Sequence, residues 1–526
     1  MSGAMNHPWI LSSPGVYTQT HDSFGQFFAN WVTGEAEAER TSIIVVSVVK
    51  INARYRLSKD VSSGRVVNAS VMESRLRRSW TAMVDDHPGL AVEFGTNLNT
   101  YRVPNSENRK AWLDATFLVH PGMDARELTR SLKRESHPRL HWLPTTNEMV
   151  LTAHHCYTDA RGTWVFWDAY LEKVVRATSL NYVPQMERDR NSLLSMSSSA
   201  GLSPPKLPPT RDDLLGLPAW PTIQGWMKAH DLVMSAVKRD MVLLPPRTPL
   251  PAMGEPKDWP AGPGDYLRAS ISEAQTSAVV AACRNKGITV AAASYAALAT
   301  VTRAMQVTEQ ESGGIGRYAV SFHHFDIRPW LHSSASHKPT GNSDISYSQS
   351  VTNTCALGVD YHVVVPYALD MIDSNGGTEE GTVSQERPMD DLAKEMNRFF
   401  QSTRRDFGQD PTGLDALTYY VQSIFGPATP APNAPIFSSL GVAEDFIRRS
   451  YCGGVEEEGY SLGLEVEDTY VMTLGAKLMN SFMLHTFRGR LHALGGFDES
   501  YFNPKVFEDL LPGTLAKLLD WLDIEH

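Results

Sequence analysis

The segment with the clearest chemical character spans residues 151–162 and contains two adjacent histidines followed by an aspartate, in the pattern His-His-x-x-x-Asp. An imidazole titrates near neutral pH, so a histidine held at a strand end beside a cleft can act as a general base. We identify His155 as the candidate base. Asp159 follows across a tight turn, where a carboxylate can hold the turn by pairing with a cation from another strand. We therefore interpret Asp159 as a structural residue.

Two other interpretations of this segment compete with catalysis. A metal site would draw on His154, His155, Cys156 and Asp159. Adjacent strand residues face opposite sides of a sheet, and no second cluster supplies the remaining ligands, so the sequence disfavours a metal. A buried histidine pair without chemistry is the second interpretation. The segment alone does not decide between that pair and a catalytic base.

The residues around the motif predict the elements that position it. The alternation over residues 149–155 predicts a strand that runs into the histidine pair, and the apolar spacing over residues 164–174 predicts a helix after the turn. Residues 76–84 place apolar side chains on one face of an earlier helix, which Pro88 and Gly89 stop. We expect that face to pack on a sheet.

The second half of the chain shows the same mixture of strands and helices. Ser272 and Gln275 form a capping box that predicts the start of a helix. Residues 318–328 are predicted to form a strand. Because strand residues alternate, one of His323 and His324 is expected to line a cleft while the other packs inside.

Proline-dense stretches at residues 204–221 and 245–263 are predicted to lack regular structure and to separate two α/β halves. Residues 373–391 are polar and acidic and are predicted to form a surface loop. The predicted organisation is an N-terminal domain over residues 1–200 with the His-His-x-x-x-Asp motif, a Pro-rich crossover linker over 201–264 and a C-terminal domain over 265–526.

Composition narrows the classes of function. The chain has 526 residues and 48 Lys plus Arg against 59 Asp plus Glu, a net charge of -11, which disfavours nucleic acid as a partner. Its longest apolar stretch, residues 43–49, is far shorter than the roughly 20 residues of a bilayer span, so we expect a buried strand and no membrane partner. No secretory signal is visible, and we expect a cytoplasmic protein. Four cysteines without CxxC spacing indicate neither a disulfide framework nor a thiolate zinc site.

Five segments, in this order along the chain, resemble the HxxxD acyltransferases, the family that shares the two-domain fold of chloramphenicol acetyltransferase and includes the plant BAHD enzymes, alcohol acetyltransferases and condensation domains. The segments are HPGL (87–90), HHCYTD (154–159), RNKGITVAAASYAALA (284–299), DIRP (326–329) and FSSLG (437–441). The resemblance spans most of the chain. It implies an α/β fold with a mixed sheet flanked by helices in each domain and an active-site tunnel at the domain interface.

The resemblance also implies a reaction and the residues that perform it. The reaction is transfer of an acyl group from a thioester to a hydroxyl or amine, with His155 as general base and no covalent enzyme intermediate. Asp159 is implied to form an interface salt bridge with an arginine of the second domain, for which Arg328 is the candidate. Ser438 and Ser439 are the candidates for binding the acyl donor, and the developing oxyanion is expected to be stabilised either by donors near these serines or by a backbone amide.

Among fungal members, the chain is most similar to enzymes that acetylate the C15 hydroxyl of a trichothecene. That similarity implies acetyl-CoA as co-substrate, a hydroxylated sesquiterpenoid as small-molecule acceptor and no metal. We expect the protein to be a monomer. Two alternatives stay open. One is a condensation-type acyltransferase that uses a carrier-protein-bound acyl group, and the other is a non-catalytic ligand-binding protein with the same fold.

Overall fold

The computed structural model of the chain describes residues 6–34, 43–57, 64–133, 137–177, 207–237, 240–247, 262–309, 316–330, 361–373, 386–424, 433–454, 460–475 and 477–526. The strands of these residues, in chain order, are β1 (Ile10–Ser13), β2 (Val16–Thr20), β3 (Ile44–Leu57), β4 (Gly64–Val66), β5 (Val92–Phe94), β6 (Leu98–Arg102), β7 (Phe117–Val119), β8 (Arg139–Leu143), β9 (Glu148–His154), β10 (Gly264–Ser270), β11 (Tyr318–Asp326), β12 (His362–Asp370), β13 (Ile436–Val442), β14 (Ser450–Cys452), β15 (Tyr460–Leu474), β16 (Ser481–Phe487) and β17 (Arg490–Asp498).

The α-helices of the same residues are α1 (Ser23–Gly34), α2 (Ala69–Asp86), α3 (Ser106–Thr116), α4 (Ala125–Ser131), α5 (Ala160–Arg176), α6 (Arg211–Leu215), α7 (Ile223–Ala236), α8 (Glu273–Asn285), α9 (Val290–Glu309), α10 (Met389–Gln409), α11 (Leu414–Ile424) and α12 (Pro504–Trp521).

The largest sheet joins strands from both halves of the sequence. Its order is β14-β15-β3-β9-β8-β7, with β4 beside β3. The long strand β15, from the second half, pairs antiparallel with β3, from Tyr460 opposite Leu57 to Leu474 opposite Ile44. On its other side β3 pairs with β9, with Ile44 opposite His154. The strand that leads into the histidine motif is therefore central in a sheet that needs both halves of the chain.

Three smaller sheets complete the fold. The order β10-β17-β16-β13 builds the main sheet of the second half, and β11 pairs with β12 in a two-stranded sheet. A third, β1-β2-β6-β5, lies near the N-terminus. In β13 the pairing with β16 shifts by one residue between Ser439 and Gly441, and Gly441 has a positive φ of 85°, which glycine tolerates without a side-chain clash.

The predicted helices α2 and α5 are confirmed, as is the strand β9 between them. Their apolar faces are buried in one core: Leu76 and Trp80 of α2 and Trp164 and Trp167 of α5 are each 0% exposed. The helical spacing of apolar residues places two of these side chains on one face of each helix, and their burial holds both helices in the same core. Asp159 is the N-cap of α5, so the helix begins directly after the motif.

In the second half, the capping box of Ser272 and Gln275 is present at the start of α8. The strand predicted over 318–328 ends at Asp326, and Arg328 instead begins a single 3-10 turn, Arg328–Trp330. That turn follows because Pro329 cannot donate to a strand ladder. It brings Arg328 to the end of β11 rather than into the strand.

Two expectations need correction. The stretch 204–221 was expected to lack regular structure, but it contains α6, a short helix that Thr210 caps through a hydrogen bond from Asp213 N. Capping and a left-handed Gly216 at its end allow one helical turn between the prolines. The predicted surface loop over 373–391 is wrong at its end, where α10 already begins at Met389; residues 374–385 lie outside the described residues.

Within the predicted linker, the helix α7 packs against α11 of the second half. The boundaries of the domains at 200 and 264 stay a prediction. Among the helices that the structure describes, none alone has the length and apolar composition of a membrane span, although the pair Glu273–Asn285 and Val290–Gln306, bent by 101°, meets those two criteria together.

Candidate active site

The candidate base His155 lies directly after β9 and lines a cavity of about 460 Å³. Its backbone N–H donates to the carbonyl of Ile43 at 3.0 Å, which extends the pairing with β3 by one residue. Its side chain is held between two rings. Phe28 stacks on it at 5.5 Å between centroids with an interplanar angle of 9°, and His362 meets it at 5.0 Å and 61°. These contacts restrict the imidazole to one orientation at the cavity wall.

The other histidine of the pair has a different environment. His154 is buried, and its Nδ1 accepts a hydrogen bond from the Cys156 backbone at 3.2 Å. It is absent from the residues that line the cavity, whereas His155 is among them. The structure therefore separates the two adjacent histidines, one toward the cavity and one into local packing.

The cavity lies between the two halves of the chain. From the first half, Phe27, Phe28 and Ile43 line it, and from the second half come Phe322 and Phe325 of β11. Further lining is supplied by Trp330, Val364, Val421, Ile436, Leu440, Met479 and Met483. Apolar side chains form somewhat more than half of the lining and polar or charged ones the rest, so the cavity suits a small molecule with an apolar skeleton that also carries polar groups.

Asp159 is tied to four groups from three parts of the chain. Arg328 Nη2 and Nη1 donate to its two oxygens at 2.8 and 3.2 Å. The backbone N–H groups of Gly162 and Tyr361 also donate to it, at 2.9 and 3.0 Å. Asp159 and Arg328 are 6% and 7% exposed, so this ion pair is buried.

Burial alone would raise the pKa of Asp159, but the charge and hydrogen bonds of Arg328 and the N–H of Gly162 outweigh it. The pKa of Asp159 therefore lies well below its ordinary value of 3.8. Burial likewise opposes the charge of Arg328, and Asp159 and Asp326 reverse the effect and raise its pKa. Both side chains are ionised, and Asp159 is too firmly bound to serve as a second base.

The ion pair continues into a larger network. Asp326 accepts from Arg328 at 3.1 Å and from Arg161 at 3.0 Å. Arg161 also donates its Nε to the carbonyl of Leu440 at 2.9 Å, beside the irregularity of β13. The start of α5, the end of β11 and the middle of β13 are thereby joined along one wall of the cavity.

Ser438 and Ser439 are adjacent residues of β13, and both line the cavity. Ser438 is buried and Ser439 is half-buried. Within the described residues neither hydroxyl makes a hydrogen bond. Their role as donors to a thioester or an oxyanion stays a prediction.

Two further histidines reach the same cavity. His324 of β11 and His362 of β12 line it, and their rings lie 4.6 Å apart. His362 is directly opposite Asp326 in the sheet, so it shares the face of His324. As strand alternation predicts, His323 packs on the other face among Phe399 and Phe400, where burial lowers its pKa to about 3.

Two buried polar atoms on another side of the cavity belong to residues that the sequence did not predict for the site. Thr473 Oγ1 and Asn480 Oδ1 are buried without a hydrogen-bond partner in the described part of the chain, and both residues line the cavity. An unpaired buried acceptor costs about 1–3 kcal/mol, which a ligand donor would recover. No local motif marks either residue, and neither could be found without the fold. Among the described residues, no group of three or more His, Cys, Asp or Glu side chains is arranged to hold a metal ion.

Known proteins are similar to this chain over most of its length. No family model matches it. It is 21% identical over 510 residues to the O-acetyltransferase pigM of Monascus ruber, covering 96% of this chain and 85% of that protein. It is 24% identical over 482 residues to the acetyltransferase pigO of the same fungus, covering 90% of each. A third relative, 22% identical over 475 residues, covers 85% of this chain and 84% of its own length and is named loline biosynthesis cluster 1 transcription factor lolU1, from Epichloe uncinata.

Among solved structures, the fold is similar to that of TRI3 trichothecene 15-O-acetyltransferase from Fusarium sporotrichioides. The TM-score is 0.65 at 14% identity, and the match covers 98% of both chains. Similarity over nearly the entire length, with helices flanking mixed sheets, confirms the predicted fold class. The chain has the α/β, two-domain chloramphenicol acetyltransferase-like fold.

Proposed function

We propose that this protein is an O-acetyltransferase that moves an acetyl group from acetyl-CoA to a hydroxyl of a small, largely apolar fungal metabolite. The observation that carries the proposal is His155, held between two rings at the wall of an apolar cavity and followed by the Asp159–Arg328 ion pair. The two acetyltransferases of Monascus ruber, similar over 96% and 90% of the chain, support the same class of reaction.

In the proposed reaction His155 takes the proton from the acceptor hydroxyl while the oxygen attacks the thioester carbonyl. The tetrahedral intermediate then collapses, the carbon–sulfur bond breaks, and the departing thiolate takes the proton from the imidazolium. Acetylated acceptor and free coenzyme A are the products, and no residue is acylated. Ser438 and Ser439 are the proposed donors to the oxyanion. Asp159 stays ionised and positions the turn that carries His155.

The acceptor is proposed to be a hydroxylated sesquiterpenoid, with the C15 hydroxyl of a trichothecene as the first candidate. Aromatic and aliphatic side chains form more than half of the cavity lining, which favours a compact polycyclic hydrocarbon skeleton, and the polar side chains between them suit its oxygen substituents. The fold of TRI3 trichothecene 15-O-acetyltransferase suggests this acceptor without deciding it, because identity to that enzyme is 14%.

The experiment is free-thiol release from acetyl-CoA, with mass detection of acetylated product, for wild type, His155→Ala and His323→Phe. The acceptors are a trichothecene with a free C15 hydroxyl and a panel of other hydroxylated terpenoids and polyketides. We expect His155→Ala to lower kcat/KM by about 10²- to 10⁴-fold, the usual contribution of a general base. His323→Phe changes a buried histidine outside the cavity and should keep activity.

Activity that persists in His155→Ala contradicts the mechanism. Acetylation of another acceptor, but not of the trichothecene, contradicts only the proposed acceptor. Absence of thiol release with the entire panel contradicts the acetyltransferase proposal.

A further inference from the structure

Charged side chains collect along one wall of the cavity. Arg161 and Arg404 line it with two guanidinium groups and Asp159 and Asp326 with two carboxylates. Arg328, which does not line the cavity, adds a third guanidinium group that pairs with both carboxylates. Arg328 is shared between the two carboxylates, at 2.8 Å from Asp159 and 3.1 Å from Asp326. The second oxygen of Asp326 binds Arg161 at 3.0 Å. Within the described residues, this wall therefore carries one positive charge without a counter-charge.

The uncompensated group is the guanidinium of Arg404. It makes neither an ion pair nor a hydrogen bond with the part of the chain that the structure describes. Partial desolvation and repulsion by Arg161 lower its pKa, and the attraction of Asp326 opposes them only in part. A cation in this state gains more from a bound anion than an arginine that already has a carboxylate.

Arg404 stands where the cavity opens to solvent. It is exposed and yet belongs to the cavity lining. One turn further along α10, a Cβ built on Gly408 would come within 3.0 Å of Trp330 Nε1, so the indole lies against this stretch of the helix. Trp330 is half-buried and also lines the cavity. The mouth thus presents a flat aromatic ring one helical turn from a guanidinium that, among the described residues, has no carboxylate bound to it.

We propose that Arg404 binds a phosphate group of the acyl donor at the cavity mouth, an inference that rests on the proposed use of acetyl-CoA. The apolar interior suits an acyl group and an apolar acceptor, but it would not accept phosphates, which must stay in or near water. A guanidinium binds a phosphate through two parallel hydrogen bonds. Trp330 beside it offers a face on which an adenine ring can stack.

The test compares two donors with the same reacting thioester. Acetyl-CoA carries the phosphates, and S-acetyl-N-acetylcysteamine carries none. Wild type, Arg404→Ala, Arg404→Lys and Arg405→Ala are assayed with both donors and a neutral acceptor. Arg405 is the matched control because it is the next residue of the same helix and pairs with Asp406 at 3.0 Å.

We expect Arg404→Ala to raise KM for acetyl-CoA by roughly 10- to 100-fold, the loss of one charge-assisted contact, with kcat little changed. KM for the phosphate-free donor should not move. The KM of Arg404→Lys for acetyl-CoA should lie between those of wild type and Arg404→Ala, since lysine keeps the positive charge but lacks the two parallel N–H donors of the guanidinium. An unchanged KM for acetyl-CoA, or an equal rise with both donors, overturns the proposal. A rise confined to the KM of the acceptor also overturns it and assigns Arg404 to acceptor binding.

Calorimetric titration with coenzyme A gives a second readout that needs no turnover. The Kd of Arg404→Ala should rise by the same factor, and its dependence on salt should be weaker than in wild type. If wild type binds no coenzyme A, the proposal fails. If it binds coenzyme A through Arg404 but releases no thiol with any acceptor, the proposal stands and the acetyltransferase activity fails.

Discussion

At the scale of single residues, Asp159 does two tasks that sequence spacing alone does not separate. One oxygen caps α5 through Gly162 N, and both oxygens bind Arg328. An asparagine could keep the cap but would leave Arg328 with Asp326 as its remaining carboxylate. The ion-pairing task can therefore be removed while the capping task is kept.

We expect Asp159→Asn to lower the free energy of unfolding at pH 7 by about 3 kcal/mol, because a buried charge loses a partner. The folded-state pKa of Asp159 is depressed, so its stabilisation is present above the unfolded value of 3.8 and is lost as the pH falls below it. The difference between variant and wild type should therefore shrink in acid. Urea unfolding at pH 7 and at a series of values below pH 4 measures it.

Asp231→Asn is the control, since that carboxylate is 83% exposed and should have almost no effect. A difference between Asp159→Asn and wild type that stays constant through the acid range would show that the ion pair is not its source.

The residues of the site differ in how far sequence could predict them. His155 and Asp159 lie in one local motif, and strand alternation was enough to place His324 and His323 on opposite faces. His362 reaches the site only because β12 pairs with β11 in a register that places it opposite Asp326. Strand pairing joins segments that are distant in the sequence and leaves no local pattern. The sequence around His362 alone therefore could not place it in the site.

At the scale of elements, Arg161 joins three pieces of the cavity wall through two contacts, with Asp326 at 3.0 Å and the Leu440 carbonyl at 2.9 Å. The planar guanidinium spans both partners, whereas a lysine ammonium would reach only one well. We expect Arg161→Lys to lower the free energy of unfolding by about 1–2 kcal/mol and kcat/KM by about 10-fold. Thermal or urea unfolding and the thiol-release assay measure the two effects.

Arg176→Lys at the far end of the same helix is the control, because Arg176 is 74% exposed and pairs within the helix with Glu172. Equal effects of the two substitutions would mean that Arg161 does not hold β11 and β13 in place.

The elements that sequence predicted are those with strong local periodicity. In α2 and α5, apolar residues recur at helical spacing and cover a sheet, so the local pattern and the final packing agree. The helix α6 was not predicted, because the proline density of its segment indicates irregular structure, and the structure shows that the cap at Thr210 still allows one helical turn. The pairing of β3 with β15 was also not predicted, since β15 comes more than 400 residues later in the sequence.

At the scale of the whole molecule, the crossing of β15 makes the two halves depend on each other. This strand pairs with β3 along its whole length and covers the edge that β3 would otherwise present. The core beside the cavity also mixes Phe28 and Tyr157 with Phe322 and Phe437 of the second half. Two halves that share a sheet and a core are not expected to fold independently.

We therefore expect a fragment of residues 1–200 to be insoluble when produced alone, because the long edge of β3, which is largely apolar over its first six residues, is then free to pair with other chains. Production together with residues 201–526 should restore a soluble complex, since β15 returns to its place beside β3. Solubility, size-exclusion chromatography and near-ultraviolet circular dichroism distinguish the cases. A fragment that is monomeric on its own and unfolds cooperatively would show that residues 1–200 fold without β15. The cavity would then lie at the interface between two domains that fold independently.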